Sequence, residues 1–380
     1  MKKILLILLT LTMLSSCLIA NAAADDRSNF DLNCESAVLM EASTGNVLYE
    51  KFPNVALPPA SVTKIMTILL TMEAIDNGNL KMTDTLQASG YAASMGGSQV
   101  FIEENEEMTV EDLLKSVVVA SANDAAVVLA ENISGSVDAF VHRMNERALE
   151  LGMKNTNFEN PTGLDDNTTN HKTSALDIAI MSRELLKHET VLNYTGIWMD
   201  TIRDGQFGLT NTNRLIRFYN GANGLKTGST SKAKFCISAT AKRDGMQLIA
   251  VIMGAPTRDI RNDAAKKLLD YGFANFSLNE FEEGSLGKVK VLKGTKNTID
   301  TYYPSTYILT EKGQGKNIEK NISIPDALES PIKIGQKIGE ITYTLNGNVV
   351  GRADITAGET AERLTFPQIL SKLLKKYLYV

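Results

Sequence analysis

The chain is 380 residues long, 43% hydrophobic and 22% charged, enough apolar material for a sizeable core and for two domains. A formal net charge of −5, with both signs mixed along the chain, offers no broad basic face and excludes nucleic acid as a partner. Three cysteines, Cys17, Cys34 and Cys236, are too few and too scattered for a disulfide framework or a four-ligand zinc site.

Met1-Lys2-Lys3 makes a short positive start, Ile4 to Met13 is almost wholly apolar, and small residues follow at Ala20-Asn21-Ala22-Ala23. That is the pattern of a secretory signal. Residues 1–23 are expected to be removed, with cleavage near Ala22 or Ala24, and the mature chain to work outside the cytoplasm. Leu14-Ser15-Ser16-Cys17 supports a competing reading, a bacterial lipobox that would place a lipid on Cys17. Ser15-Ser16 interrupts the apolar run too early for a comfortable membrane span.

Ser36 to Met40 and Val47-Leu48-Tyr49 flank Ala42-Ser43-Thr44-Gly45, which predicts a β-hairpin. Lys234 to Arg243 and Met246 to Gly254 are joined by Asp244-Gly245, a strong hairpin signal. Mostly helical sequence lies between the two hairpins, so the fold class is α+β, with one antiparallel sheet built from distant segments and covered by helices over residues 30–276. From Lys288 onward β-branched and Tyr-rich runs, broken by Gly, Pro and Asn, predict a small all-β domain over 284–358. Over 361–380, Ile369-Leu370, Leu373-Leu374 and Tyr377-Leu378 recur every four residues with Lys372, Lys375 and Lys376 between them. That predicts a C-terminal amphipathic helix suited to a membrane surface, with docking on its own domain as the alternative.

Pro58-Pro59-Ala60 precedes Ser61-Val62-Thr63-Lys64, and an apolar helix runs on from Ile65 to Ala74 before Asn77-Gly78 stops it. One turn separates Ser61 from Lys64, so the amine can reach the hydroxyl. A nucleophile and its base need that pairing, with the lysine held neutral by burial or neighbouring positive charge. The same spacing also fits a plain N-cap with a solvated lysine. Ser121-Ala122-Asn123 lies at a turn between helices, where Ser121 with Asp124 also makes an acceptable capping box. Lys226-Thr227-Gly228 sits on a strand-like stretch, and glycine there allows close approach of a substrate backbone.

Each triplet alone is weak. S-x-x-K, S-x-N and K-T-G in this order and in helix-start, turn and strand contexts form a specific constellation. On it the chain resembles the serine D-alanyl-D-alanine carboxypeptidases, the low-molecular-weight penicillin-binding proteins that trim peptidoglycan stem peptides. Asn160-Pro161-Thr162-Gly163-Leu164, Asn213-Arg214-Leu215 and Gly224-Leu225 before the K-T-G extend the likeness over the whole chain.

The resemblance implies a β-lactamase/D,D-peptidase-like antiparallel sheet covered by helices. It also implies that Ser61 attacks the penultimate D-Ala carbonyl of a stem pentapeptide while Lys64 takes its proton. Ser121 would relay protons, Asn123 would hold the pair and the substrate amide, and Lys226 would add positive potential near Ser121. Thr227 and Arg214 would bind the terminal carboxylate. Gly228 belongs to the same binding strand, and the backbone N–H groups of Ser61 and Ser229 would form the oxyanion hole. No cofactor and no metal are called for, and β-lactams are expected to act as slowly released inhibitors.

His171 matches a position near the cleft in some relatives and takes a supporting role; His142 and His188 read as surface residues, the latter in the last turn of a helix starting near Ser174. Ala122 within the S-x-N triplet, and a loop reading Phe158-Glu159-Asn160, depart from a class A β-lactamase, leaving Glu159 a loop-structuring residue. β-Lactam hydrolysis, D,D-endopeptidase cleavage and an acylation-only penicillin sensor remain the competing functions. Cys34 and Cys236 lie beside none of the motifs in sequence.

Overall fold

A computed structural model of the protein describes residues 31–378; the signal segment expected at 1–23, and Cys17 of the competing lipobox reading, lie outside the described residues. Strands β1 (Ser36–Glu41) and β2 (Val47–Lys51) form the opening hairpin. After a long, mainly helical stretch come β3 (Ala222–Thr230), β4 (Lys234–Arg243) and β5 (Met246–Ala255). The five strands make one antiparallel sheet in the order β2-β1-β5-β4-β3, so the chain's two distant hairpins meet at the β1/β5 pair.

Alternation along the strands buries both faces. Val38, Met40, Ile249 and Val251 join the main core beneath helices α1 (Lys64–Asp76), α2 (Asn123–Ser134) and α3 (Ala175–Leu185). Leu39 and Leu248 point to the other face, where helix α4 (Arg258–Asn275) packs. A Cβ on Gly272 of α4 would fall 2.5 Å from Leu248 Cδ1, so helix and sheet come this close only because the residue has no side chain. Burial on both sides explains why every residue of β5 is buried and why its sequence is a nearly continuous apolar run.

Asn275 leads directly into a strand, Phe276–Phe281, that pairs with Thr306–Glu311. A second sheet follows, built from β6 (Lys288–Leu292), β7 (Thr298–Tyr302), β8 (Glu319–Ser323), β9 (Ala327–Glu329), β10 (Lys337–Leu345) and β11 (Asn348–Ala357) in the order β8-β10-β11-β7-β6-β9. Its core gathers Ile299, Ile308, Ile341, Tyr343 and Ile355, with Phe281 stacked at 4.5 Å on Tyr343. Helix α5 (Phe366–Leu378) closes the described chain. Among the described residues no helix is long and apolar enough to cross a membrane.

Candidate active site

Ser61 stands in a 3-10 turn, Ala60–Thr63, that feeds straight into α1 at Lys64. The two prolines before it restrict the entry, and Ala60 takes a left-handed φ of 49°. Val62 and Thr63 are buried, while Ser61 lines a cavity of about 610 Å3. α1 is apolar on nearly every face and buried from Lys64 to Met72, and it ends at Asn77-Gly78 with Gly78 left-handed.

Lys64 is fully buried, and its Nζ is 3.0 Å from Ser61 Oγ, 2.6 Å from Asn123 Oδ1 and 2.8 Å from the Thr162 carbonyl oxygen. Burial first, then the Lys226 charge, hold its pKa well below that of an ordinary lysine, against an opposing pull from Asp124. A neutral amine has two N–H groups and one lone pair. Asn123 Oδ1 and the Thr162 carbonyl accept the two N–H bonds, which leaves the lone pair for the Ser61 hydroxyl.

Ser121 ends a helix that winds into a π turn over Ser116–Ala120, and it adopts a left-handed φ of 62°; such turns recur at functional sites. The capping box expected between Ser121 and Asp124 does not form. Ala122 is the N-cap residue of α2, and the Asp124 carboxylate instead accepts the Val100 and Ile102 N–H groups at 3.0 and 3.1 Å. Asn123 donates from Nδ2 to the Gly96 carbonyl at 2.6 Å. Ser121 opens onto the same cavity as Ser61, but the hydrogen bonds of Lys64 go to Ser61, Asn123 and Thr162, and that of Lys226 goes to the Thr227 carbonyl at 3.0 Å. The expected relay between Ser121 and Lys64 is therefore not a direct hydrogen bond here, because the amine's capacity is already filled.

Lys226, Thr227, Gly228 and Ser229 lie on β3 in the predicted strand. Lys226 is buried, and burial together with Arg261 lowers its pKa to about 7. A Cβ on Gly228 would lie 2.8 Å from the Pro59 carbonyl oxygen and 2.8 Å from the Ser61 nitrogen. The chain's own Ser61 turn already demands the glycine. This approach sets the Ser61 N–H against the strand that continues into Ser229. Cys236 stands directly across from Gly228 in the β3/β4 ladder, so the fold brings it beside the K-T-G motif from which the sequence separates it.

The cavity is also lined by Thr227, Thr212 and Arg214, with Thr227 Oγ1 donating to Thr212 Oγ1 at 2.8 Å. Two further arginines, Arg258 and Arg261, line it from the first turn of α4. Arg261 is buried and bonds the Asn262 side chain and the Cys236 carbonyl; burial, then Arg258, lowers its pKa to about 10. Sequence reasoning missed both arginines. The only local signal was an Arg-x-x-Arg spacing at a helix start after a strand.

His171 does not line the cavity. Its Nδ1 accepts the Glu159 N–H at 2.9 Å, which places the ring proton on Nε2, 2.8 Å from Thr63 Oγ1. Burial lowers its pKa to about 4. It thus ties the loop that carries Thr162 to the turn that carries Ser61 and Lys64. Glu159 accepts the Thr169 and Asn170 N–H groups and organises that loop. His142 is exposed beside Glu146. His188 lies beyond the end of α3 at Leu185, against Asp76, so the helix-end placement expected for it is incorrect. Among the described residues no cluster of His, Cys, Asp and Glu could hold a metal ion.

Residues 20–257 match the D-alanyl-D-alanine carboxypeptidase family, peptidase S11, and residues 279–363 match the C-terminal domain of penicillin-binding protein 5. The chain is 46% identical over 347 residues to the D-alanyl-D-alanine carboxypeptidase DacF of Bacillus subtilis, covering 90% of this chain and 89% of that protein. It is 34% identical to DacA of Haemophilus influenzae, covering 85% and 84%. Among solved structures, penicillin-binding protein 5 from Haemophilus influenzae superposes with a TM-score of 0.77 at 31% identity, over 88% of this chain and 99% of that one. Penicillin-binding protein D2 from Listeria monocytogenes in its ampicillin-bound form gives a TM-score of 0.60 at 31% identity, over 64% and 99%. With the Ser61–Lys64–Asn123 geometry in place, these likenesses make the chain a member of the D-alanyl-D-alanine carboxypeptidase family of serine peptidases.

Proposed function

We propose that Ser61 is the nucleophile that removes the terminal D-Ala from peptidoglycan stem pentapeptides, with Lys64 as its base. The observation that carries this is the saturation of the buried Lys64 amine by Asn123 and Thr162, with Ser61 Oγ as its third neighbour. In the proposed reaction Ser61 Oγ bonds the penultimate D-Ala carbonyl carbon as its proton passes to Lys64 Nζ. Backbone N–H groups of Ser61 and Ser229 receive the oxyanion. The peptide C–N bond then breaks, the departing D-Ala amine takes the proton, and water cleaves the Ser61 ester. Ser121, which opens onto the same cavity as Ser61, carries protons to the leaving amine in this reading, and Lys226 supplies positive potential. Arg214 and Thr227, joined by Arg258 and Arg261, hold the free carboxylate that separates a chain end from an internal peptide bond. β-Lactams acylate the same serine.

We divide the work between a catalytic part, residues 30–276, and a spacer, residues 284–358, with the Phe276–Phe281 strand drawn into the spacer by its pairing with Thr306–Glu311. Helix α5 keeps Ile369, Leu370, Leu373 and Leu374 half-exposed, which supports a role in resting the enzyme on the outer face of the cytoplasmic membrane. The test of the chemistry is D-alanine release from a pentapeptide ending in D-Ala-D-Ala. Release by the wild type and none by Ser61→Ala is expected; release that survives in Ser61→Ala moves the nucleophile elsewhere.

A further inference from the structure

Three segments meet at the end of the second sheet from which α5 departs. The Thr295 N–H bonds the Glu362 carbonyl at 2.8 Å, the Leu364 N–H bonds the Lys293 carbonyl at 2.9 Å, and Ile332 and Ala361 exchange bonds at 2.9 Å. On this end Ile334 is 67% exposed at the tip of a turn closed by Lys333 and Gln336. Its own N–H is tied to Thr360 Oγ1 at 3.1 Å. Phe366, at the first turn of α5, is 77% exposed, and Leu292, beside Lys293, is 43% exposed. Phe366 is six positions after Thr360, a span of at most about 22 Å, so Ile334, bonded to Thr360, lies on the same end of the domain as the helix start.

Scattered single apolar residues need no explanation, but these share one end of the domain with several basic residues. Lys293, Lys296, Lys333 and Arg363 stand on the loops that meet at this end and Lys372 reaches it from α5, against Glu329, Glu359 and Glu362 on the same segments; Lys293 pairs with Glu329 and Lys296 with Glu359. Lys372 Nζ reaches the Gly294 carbonyl at 3.5 Å and Asn297 Oδ1 at 3.0 Å. Lys372 thus ties α5 to the sheet's own loop, while Ile369, Leu370, Leu373 and Leu374 stay half-exposed.

We propose that this end of the β-sheet is a second membrane contact, in which Ile334 inserts at the headgroup boundary of an anionic bilayer and Lys333 with its neighbouring lysines meets the lipid phosphates. The inference rests on the membrane-surface reading of α5 and adds to it, since stable anchoring takes two signals. Two contacts on one rigid domain fix its orientation, whereas a helix alone fixes only its attachment.

The test is sedimentation of the mature chain with phosphatidylcholine vesicles, with and without phosphatidylglycerol. Ile334→Asp is expected to lower the partition coefficient about tenfold with α5 intact, and Lys333→Glu to lower it several-fold only on vesicles containing phosphatidylglycerol. Ile334→Trp is expected to blue-shift and to be quenched by brominated lipid. D-Alanine release from a soluble peptide, unchanged in these variants, reports that they fold. If all three partition as wild type and the introduced indole stays unquenched, while removal of 366–380 releases the protein, the second contact is overturned and the helix reading stands. If the wild type does not bind vesicles at all, both readings fall.

Discussion

Gly163 lies so close to Ala60 that a Cβ on it would fall 1.9 Å from the Ala60 carbonyl oxygen and 2.8 Å from Thr63 Oγ1. The neighbouring Thr162 carbonyl is the group that accepts from Lys64, so this packing sets the amine's position. Gly163 is also left-handed, with φ 82°. Gly163→Ala is expected to lose about 1–3 kcal/mol to strain and to slow D-alanine release at least tenfold. Thermal unfolding and a release assay on one preparation check both; an unshifted melting temperature would uncouple the loop from the nucleophile turn.

Acylation should depend on pH with two limbs. As the proposed base, Lys64 works only once its proton is gone, so kcat/KM is expected to rise with pH through its depressed pKa. Lys226, lowered to about 7, loses its charge on the alkaline side, and kcat/KM falls there. The two amines interact, so the profile reports values of the pair. Lys226→Gln is expected to lower kcat/KM roughly 10²-fold and to abolish the alkaline limb. A limb that persists in the variant belongs to another group.

The same residue carries a stability cost. Folded Lys226 holds its proton less well than the unfolded chain, whose lysine titrates near 10.5, so the unfolded state binds more protons between those values and stability rises with pH across that window. Lys226→Met removes the cost and is expected to stabilise the protein by about 1–3 kcal/mol at neutral pH while abolishing activity. Denaturant titration of both proteins at several pH values decides it; a destabilised methionine variant would mean that the Thr227 hydrogen bond outweighs desolvation.

His171 gives stability an acid limit. Its pKa falls from 6.5 to about 4 on folding, so the unfolded chain binds the extra proton as pH drops through that interval. Stability present above 6.5 is lost progressively toward 4, by about 3 kcal/mol for this group. His171→Gln should unfold with a shallower dependence over the same range. Equal slopes in the two proteins would assign the acid sensitivity to carboxylates.

Arg258 is expected to act through substrate capture. Arg258→Ala should raise KM for a D-Ala-D-Ala peptide roughly tenfold with kcat little changed, and Arg214→Ala should do the same or more. Neither substitution should affect a peptide whose terminal carboxylate is amidated. A fall in kcat with KM unchanged would instead place Arg258 in the chemical step.

Local spacing carries part of this site. Ser61 and Lys64 are one turn apart, and Lys226 to Ser229 share one strand, so pattern alone predicts both neighbourhoods. What pattern cannot carry is non-local packing. Thr63 and His171 are 108 positions apart, and Arg258 and Arg261 reach the cavity only because α4 packs on the sheet. The K-T-G pattern predicts a close approach at Gly228, and the backbone of Pro59 and Ser61, from a distant segment, makes one. The capping box at Ser121 failed because a left-handed residue there turns Asp124 toward Val100 and Ile102.

Cys236, opposite Gly228, is 0% exposed, and burial pushes its thiol up to about 11. A protonated, shielded thiol is a poor target for alkylating agents and peroxides, which attack the thiolate. Reagents that disable cysteine peptidases should therefore pass this centre by, although sulfur sits one strand from its binding motif. The proposed hydrolysis uses a hydroxyl and amines, so thiol reagents are expected to leave D-alanine release unchanged.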